Sequence, residues 1–266
     1  MRPDLRVRTS GSDIPGAPQS TTNSMNNRNA LPPGQYATDG FPRFGLTRFA
    51  NRFPAEATVI RIEVQGDVVA PLVIFADDLR ALPRVDQTSD FHCVTTWSRR
   101  SLQWSGVRFS DFFERIVVPR ARPMAEATFV VLRCQDRARA SLPLADLLAA
   151  DVLLADALSG IPLTVEHGAP LRLVAPAHYG YKSSKHVCRI EFWRDDRQYR
   201  PSGLRFMDHP RARVAQEERG RGVPGWILRY LYRPFVGPTV ARFRREMDLY
   251  EGSRSTRRPA QPEKAA

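Results

Sequence analysis

The segment Asp90-Phe91-His92-Cys93-Val94-Thr95-Thr96-Trp97 is followed, a few residues later, by Trp104-Ser105-Gly106-Val107. Residues 91–97 are rich in β-branched and aromatic side chains, which predicts a buried strand that contains Cys93. The Trp-Ser-Gly sequence predicts a turn beyond that strand. A thiol at a strand end, beneath a tryptophan-lined turn, can face a pocket. A small buried hydrophobe is the alternative, because free cysteines are mostly of that kind.

The rest of the chain predicts many strands and few helices. Residues 58–64 alternate apolar and charged side chains, as in a half-buried strand. Residues 144–158 are rich in Leu, Ala and Asp and predict a mostly helical segment. Short helices among strands indicate an α+β fold with a mixed β-sheet core. Further strands are predicted at residues 72–75, 128–132, 171–175 and 187–192.

Three regions follow from composition. Residues 1–40 are mainly Ser, Thr, Asn, Pro and Gly, so they bury too little apolar surface to order and are predicted to be disordered. Residues 41–205 form the predicted folded domain. Residues 206–266 are a basic C-terminal extension, predicted to pack partly on the domain and to end in disorder.

The positive charge is unevenly distributed along the chain. The formal net charge is +12, and residues 194–266 contain 17 Lys and Arg against 9 Asp and Glu. Residues 45–193 are nearly balanced, with 18 against 16. This distribution argues against a specific nucleic-acid-binding core. It leaves open a non-enzymatic basic protein that binds nucleic acid or a membrane surface, and docking of a membrane surface or protein through the extension.

The three cysteines, Cys93, Cys134 and Cys188, lie far apart and form no Cys-x-x-Cys pair. This spacing argues against a zinc site, an iron–sulfur site and a disulfide framework. No apolar run reaches the roughly 18 residues of a membrane span, and the N-terminus lacks a signal pattern. A cytoplasmic location with reduced thiols is therefore expected.

A second informative segment runs over residues 167–185. A predicted strand that carries Arg172 leads through a Pro- and Gly-containing loop to Lys182, Ser183, Ser184 and Lys185. Backbone N–H groups, hydroxyls and lysines that converge at a loop are typical of an anion site. A solvated loop with scattered lysines is the alternative. The segment contains neither a Walker loop nor a dinucleotide-binding fingerprint.

Histidines near these segments raise a second class of enzyme. His92 beside Cys93 suggests a Cys/His thiol hydrolase. Neighbouring residues of a strand point to opposite faces, however, so His92 would be a poor base for Cys93. His178 lies in the anion-site loop and is a candidate substrate contact, although loop histidines are commonly just exposed.

Together, the two segments resemble the molybdopterin-dependent oxidoreductases of the sulfite oxidase fold, which include bacterial methionine-sulfoxide-reductase catalytic subunits. The resemblance covers about residues 41–193. It rests on Cys93-Val94-Thr95-x-Trp97, on Trp104-Ser105-Gly106-Val107, and on Gly168-Ala169-Pro170-Leu171-Arg172-Leu173-Val174 followed by Tyr179-Gly180-Tyr181-Lys182-Ser183-x-Lys185. A weaker match is Phe49-Ala50-Asn51-Arg52-Phe53-Pro54.

The resemblance implies a molybdopterin cofactor, without haem, and oxygen-atom transfer to or from a small-molecule substrate. It implies that Cys93 is the only protein ligand to molybdenum. From their place in the loop near the pocket, His178 and Tyr179 are further candidate catalytic residues. An external electron-transfer partner of unknown identity is also implied. The implied cofactor contacts are Asn51, Arg52, Thr128, His167, Arg172, Lys182, Ser183, Ser184 and Lys185.

One departure from the family concerns the substrate. Ala50 stands where sulfite oxidases place an arginine that helps to hold anionic sulfite. Because a dianion near an electron-rich centre needs fixed cations, sulfite is a doubtful substrate. A sulfoxide or an N-oxide is favoured instead.

Overall fold

The protein is described by a computed structural model that covers residues 30–255, in which strands form two sheets and the longer helices lie at the C-terminal end. The strands are β1 (Tyr36–Ala37), β2 (Arg61–Gly66), β3 (Leu72–Phe75), β4 (Arg84–His92), β5 (Trp97–Arg108), β6 (Phe129–Cys134), β7 (Arg139–Pro143), β8 (Leu153–Leu158), β9 (Ile161–Pro162), β10 (Arg172–Val174) and β11 (Val187–Trp193). The helices are α1 (Ala76–Arg80), α2 (Phe109–Phe112) with its π-helical continuation (Phe113–Ala121), α3 (Leu144–Leu147), α4 (Gly225–Tyr232) and α5 (Val236–Ser255), and 3-10 turns occupy Thr47–Phe49, Arg205–Met207 and Arg233–Phe235.

The larger sheet has the order β1-β5-β8-β10, with β4 added to β5 and β9 added to β8. The smaller sheet has the order β3-β2-β11-β6-β7. Within it, β2 and β11 are parallel while the other pairs are antiparallel. The prediction of an α+β fold with mixed sheets is therefore confirmed.

One apolar core joins the two sheets. Strands alternate their side chains between two faces, so each sheet presents one row of apolar residues to this shared layer. Burying such rows is the dominant favourable contribution to folding. The core contains Ile62, Ile74, Leu132 and Ile190 from the smaller sheet, Val107, Leu154 and Leu173 from the larger sheet, and Phe109, Phe112 and Ile116 from α2 and its continuation.

The predicted helix over residues 144–158 is wrong beyond its first turn. Only Leu144–Leu147 is helical, and Leu153–Leu158 forms β8 between β5 and β10. A strand that neighbours cover on both faces carries a nearly continuous apolar run, and periodicity cannot distinguish such a run from a buried helix.

The turn predicted at Trp104-Ser105-Gly106 is also wrong, because these residues lie inside β5. The register of β5 against β8 shifts between Ser105 and Gly106, which marks a bulge. A Cβ atom at Gly106 would lie 2.2 Å from the carbonyl oxygen of Leu154. The glycine therefore permits a close approach of two strands rather than a change of direction.

Both ends of the described region contain regular secondary structure. Tyr36 and Ala37 form β1, which pairs with Trp97 and Ser98 of β5, so the predicted disorder does not extend to residue 40. Residues 1–29 and 256–266 lie outside the described residues, as does the predicted disorder at both ends. Most of the remaining C-terminal extension is helical, and no helix within residues 30–255 is long and apolar enough to span a bilayer.

Candidate active site

Cys93 lies in a tight turn between β4 and β5, and not inside a strand as predicted. Its backbone N–H donates to the Trp97 carbonyl at 2.8 Å, and its carbonyl accepts from the Thr96 N–H at 3.1 Å. Thr96 closes the turn with a φ of 93°, which a β-branched residue rarely adopts. The turn reverses the chain at the end of the longest strand pair and presents the thiol at its corner.

Side chains from distant segments hold this turn. Gln35 donates from Nε2 to the Cys93 carbonyl at 3.1 Å and accepts from Ser98 Oγ at 3.0 Å through Oε1. Ser98 Oγ in turn lies 2.8 Å from His92 Nδ1. His92 thus bonds Ser98, whereas the polar contact described for the Cys93 sulfur is with Thr95. This arrangement gives no support to a Cys/His hydrolase.

Arg219 fixes the same turn from the C-terminal extension. It is fully buried, and its Nη1 donates to the Val94 carbonyl at 2.6 Å while its Nη2 donates to the Pro33 carbonyl at 3.0 Å. Glu217 lies 3.2 Å from its Nε and balances its charge. The extension is therefore part of the support of the Cys93 turn.

A cavity of about 230 Å³ opens in front of Cys93. The C-terminal helices close part of it, since Tyr232 of α4 and Phe243 of α5 contribute to the wall. Much of the lining is aromatic, and Cys93 is only 6% exposed. The aromatic lining consists of Phe41, Phe44, Phe49, Phe91, Trp97, Tyr181, Tyr232 and Phe243.

Burial raises the pKa of the Cys93 thiol to about 11, although a hydrogen bond from Thr95 and the more distant charges of Arg219 and Lys185 lower it in part. The Thr95 Oγ1 atom lies 3.1 Å from Sγ. The free thiol is thus held neutral at pH 7. A metal cation at this position would compensate the buried charge, since coordinated thiols are deprotonated.

Replacing Thr95 by valine is expected to slow alkylation of Cys93. The change removes the hydroxyl that stabilises the thiolate, so the pKa of the thiol rises further and the thiolate fraction falls. A hydrogen bond of ordinary strength predicts an effect of about 2- to 10-fold. The rate of iodoacetamide reaction at pH 8 in cofactor-free protein measures it. Thr95→Ser keeps the hydroxyl and should react at the wild-type rate, and equal rates for all three proteins would contradict the assignment.

Three residues of the predicted anion site reach the cavity wall: Ser183, Ser184 and Lys185. Lys185 Nζ donates to the Glu166 carbonyl at 2.9 Å. Burial, together with the positive charges of Arg172 and Arg43, lowers the pKa of Lys185 to about 7. Its charge is therefore only partly compensated within the described residues.

Arg172 lies behind this wall and is completely buried. Its Nη1 donates to the His167 carbonyl at 2.9 Å and its Nη2 to the Ser183 carbonyl at 3.4 Å. Within residues 30–255 its Nε has no hydrogen-bond partner, and no carboxylate forms an ion pair with it. Burial lowers the pKa of this guanidinium to about 9. A buried, unneutralised cation of this kind favours a nearby anion.

Two other predicted contacts lie beside the cavity without forming its wall. The His167 ring stacks on Phe41 with centroids 5.0 Å apart, and burial lowers its pKa to about 4. Lys182 is fully buried, and its Nζ forms an ion pair with Asp208 at 2.7 Å. Asp208 itself lines the cavity. Lys182 therefore contacts the cavity only indirectly, through its ion pair with the Asp208 carboxylate.

The remaining predicted site residues are not brought to the cavity. Asn51 is exposed, the Arg52 guanidinium stacks on the Phe49 ring, and Thr128 is exposed with its hydroxyl bonded to the Arg194 carbonyl at 3.2 Å. Thr128 precedes β6 at the end of the strand that lies away from the cavity. The opposite end of β6, at Cys134, reaches the cavity.

His178 and Tyr179, which were predicted to be catalytic, do not line the cavity in front of Cys93. His178 is 5% exposed and its Nδ1 bonds the Arg211 carbonyl, while Tyr179 is fully buried beneath Ala212 and Val214. The segment around residues 211–214 covers their loop, and sequence patterns cannot show that a distant segment covers a loop. Gly180 and Tyr181, which follow them, do line the cavity.

Several cavity residues were not predicted. Arg43 is buried, and its guanidinium donates to the carbonyls of Phe49, Ala50 and Arg52. Asp136 also lies in the wall, where burial raises its pKa despite the hydrogen bond from the Ala138 N–H. Arg139 completes the polar side of the wall. The motif Phe-Pro-Arg-Phe-Gly around Arg43 was the one signal that could have identified any of them.

Protein side chains alone do not form a metal site in the described region. Among residues 30–255, no group of three or more His, Cys, Asp and Glu side chains could hold a metal ion. A metal beside Cys93 would therefore need most of its ligands from a bound cofactor. The single thiol, the aromatic wall, the partly compensated Lys185 and the buried Arg172 without an ion pair fit an anionic cofactor that carries its own metal ligands.

The part of the chain that forms this cavity matches a known protein family. The family described as "Oxidoreductase molybdopterin binding domain" matches residues 50–200, and the chain belongs to that family. The predicted family resemblance, enzyme class and molybdopterin cofactor are thereby confirmed.

Individual relatives agree with this assignment. The chain is 37% identical over 166 residues to the uncharacterized oxidoreductase YuiH of Bacillus subtilis, a match that covers 62% of this chain and 80% of YuiH. It is 30% identical over 186 residues to the protein-methionine-sulfoxide reductase catalytic subunit MsrP of Campylobacter jejuni, covering 59% of this chain and 61% of MsrP. Among solved structures, the sulfane dehydrogenase SoxCD from Paracoccus pantotrophus matches 57% of this chain and 43% of that chain, with 24% identity and a TM-score of 0.47.

Proposed function

We propose that this protein transfers an oxygen atom between a small substrate and a molybdenum centre ligated by Cys93, and that the substrate is a sulfoxide or an N-oxide rather than sulfite. The observation that carries this proposal is the Cys93 thiol at the corner of a fixed turn, facing an aromatic cavity that Lys185 also lines. The named activity of the MsrP relatives supports a sulfoxide.

The chain's residues have separate roles in this proposal. Cys93 would hold the metal, and Thr95 would donate a hydrogen bond to its sulfur. Lys185, with Arg172 behind it, would hold the terminal phosphate of the pterin, because cations pair strongly with such dianions. The bound cofactor supplies the two-electron exchange of an oxygen atom that converts a sulfoxide to a thioether.

Position 50 argues against sulfite. Ala50 is completely buried, so it offers no side chain to the cavity. Arg43 and Arg139 both line the cavity, but three backbone carbonyls already accept the hydrogen bonds of Arg43. The aromatic wall near Cys93 suits a neutral thioether or sulfoxide, since sulfur packs favourably against aromatic rings.

Purified holoenzyme is expected to reduce methionine sulfoxide with a reduced viologen dye and to oxidise sulfite poorly. Because both reactions use the same metal centre, the ratio of their kcat/KM values shows which of the two substrates the site prefers. We expect the ratio to favour the sulfoxide by about 10- to 100-fold, the loss expected when a charged contact of roughly 1.5–3 kcal/mol is missing. Sulfite oxidation in the ordinary range of about 10⁴–10⁸ M⁻¹s⁻¹ without sulfoxide turnover would contradict this assignment.

The cytoplasmic location and the electron-transfer partner remain predictions. Cys93, Cys134 and Cys188 are all free thiols, in keeping with a reducing compartment.

A further inference from the structure

A second cavity, of about 220 Å³, lies at the surface beside the Cys93 turn. We call it the arginine pocket. It is formed where the N-terminal strand β1 meets α4. Its lining includes Gln35, Tyr36, Thr96, Arg229, Tyr230 and Arg233.

The Gln35 side chain forms a hydrogen bond that connects the arginine pocket to Cys93. Gln35 lines the pocket and donates to the Cys93 carbonyl at 3.1 Å. Beside it, the Tyr36 N–H donates to the Thr96 carbonyl at 2.9 Å. A molecule seated in the pocket would therefore contact the backbone of the turn that carries the metal-binding thiol.

The outer face of α4, next to the pocket, is apolar and exposed. Trp226, Tyr230 and Leu231 are 56%, 62% and 52% exposed, and Phe235 just beyond the helix is 60% exposed. Leu228 of the same helix is buried against the protein, so the helix is already anchored by its other face. Exposed Trp and Tyr beside Arg form the composition of protein-binding hot spots.

Arginine predominates around this face, although Asp196, Glu217 and Glu246 pair with Arg221, Arg229 and Arg242. Residues 220–245 contain six arginines and no acidic residue. Two of the six, Arg229 and Arg233, line the pocket, and the buried Nε of Arg229 has no hydrogen-bond partner within the described residues. The nearest carboxylate, Glu217, lies 3.7 Å from Arg229 Nη1 and 3.2 Å from Arg219 Nε, so two arginines share it. Charge complementarity therefore selects an acidic partner.

We propose that the arginine pocket and the exposed face of α4 are the docking surface for an acidic protein that carries one electron at a time. This inference rests on the proposed function, which needs such a partner. Reduction of a sulfoxide consumes two electrons and two protons and releases a thioether and water. Two encounters supply the electrons, and each leaves one carrier oxidised by one electron.

A protein partner accounts for this surface better than a lipid bilayer. The two arginines line a concave pocket that a protruding acidic loop can fill, whereas a flat headgroup layer would meet only its rim. The hydrogen-bonded connection to Cys93 also serves electron transfer, which a bilayer does not provide.

The test compares two electron donors on the holoenzyme. The donors are a reduced, strongly acidic [2Fe–2S] ferredoxin and a reduced viologen dye, each with methionine sulfoxide as acceptor. In the double variant Arg229→Gln/Arg233→Gln, we expect the KM for ferredoxin to rise about 10-fold and its salt dependence to flatten, as for loss of steering charges. Turnover with the dye should stay at the wild-type value.

The matched control is Arg80→Gln/Arg115→Gln, which removes two exposed arginines on α1 and on the continuation of α2. Its ferredoxin KM should equal that of the wild type. An unchanged KM in the Arg229/Arg233 variant would overturn the proposal. The proposal would also be overturned if the wild-type protein turned over with the dye but not with ferredoxin and bound to phosphatidylglycerol vesicles. Absence of turnover with either donor would instead refute the proposed function.

Discussion

The Cys93→Ser variant is expected to fold normally and to lose at least about 100-fold in turnover of the holoenzyme, more than is usual for loss of a residue that only orients a metal ligand. Backbone bonds to Trp97 and Thr96, and not the thiol, hold the turn. Serine is close to cysteine in size, so the turn should persist. An alcohol is a harder and far less acidic ligand than a thiol, so it would not replace a thiolate on a sulfur-rich metal centre.

Cys188→Ser is the matched control for this prediction. Cys188 is a free cysteine whose Sγ lies 3.5 Å from the Arg133 carbonyl, and it does not line the cavity. Steady-state sulfoxide reduction and thermal unfolding of both variants give the comparison. Wild-type turnover in Cys93→Ser, or an equal loss in Cys188→Ser, would contradict a role of Cys93 at the metal.

The Lys185→Met variant is expected to retain the cofactor about 10- to 100-fold less tightly, since a charge-assisted contact contributes roughly 1.5–3 kcal/mol. The wild type should also bind more weakly as the pH rises above about 7, the pKa of Lys185 in the cofactor-free protein. Affinity falls as the pH rises because the anion binds the protonated form of Lys185. Above its pKa the lysine is mostly neutral and must take up a proton before the anion can bind. Lys185→Met has no such proton to gain, so its affinity should not change with pH in this range.

The Arg172→Met variant removes a positive charge near the cofactor site but keeps the titrating amine of Lys185. This variant should also lose affinity, but its pH dependence should follow the wild type because Lys185 is intact. Pterin fluorescence after dialysis at pH 6, 7 and 8 measures retention. Equal retention in both variants at all three values would place the anion site elsewhere.

The sequence predicted the class of fold and the segments of the site better than their local geometry. The β-branched run around Cys93 predicted a strand over residues 91–97, but the structure has a turn there, in which Thr96 adopts a positive φ that its residue type disfavours. Gly106 signalled a turn and proved to be a bulge, because glycine serves both purposes. Strand β8 is covered on both faces, so its apolar and polar residues do not alternate, and its sequence predicted a helix instead.

The residues that could not be predicted are those brought in by long-range packing. Gln35 lies in a segment whose composition predicts disorder, yet it reaches the Cys93 carbonyl because β1 pairs with β5. Arg219 comes from the basic extension and holds the same turn. His178 and Tyr179 were predicted in the site from their loop, and a covering segment buries them. No local pattern encodes which segments cover which.

Molybdenum K-edge X-ray absorption of the holoenzyme is the most direct test of Cys93 as the metal ligand, because it counts the sulfur atoms bound to the metal without reference to turnover. Wild type and Cys188→Ser should show the two dithiolene sulfurs of the pterin and one more from Cys93. Cys93→Ser, loaded with the same cofactor, should show one sulfur fewer at an unchanged molybdenum content. An identical sulfur count in wild type and Cys93→Ser would contradict the assignment of Cys93 as the protein ligand.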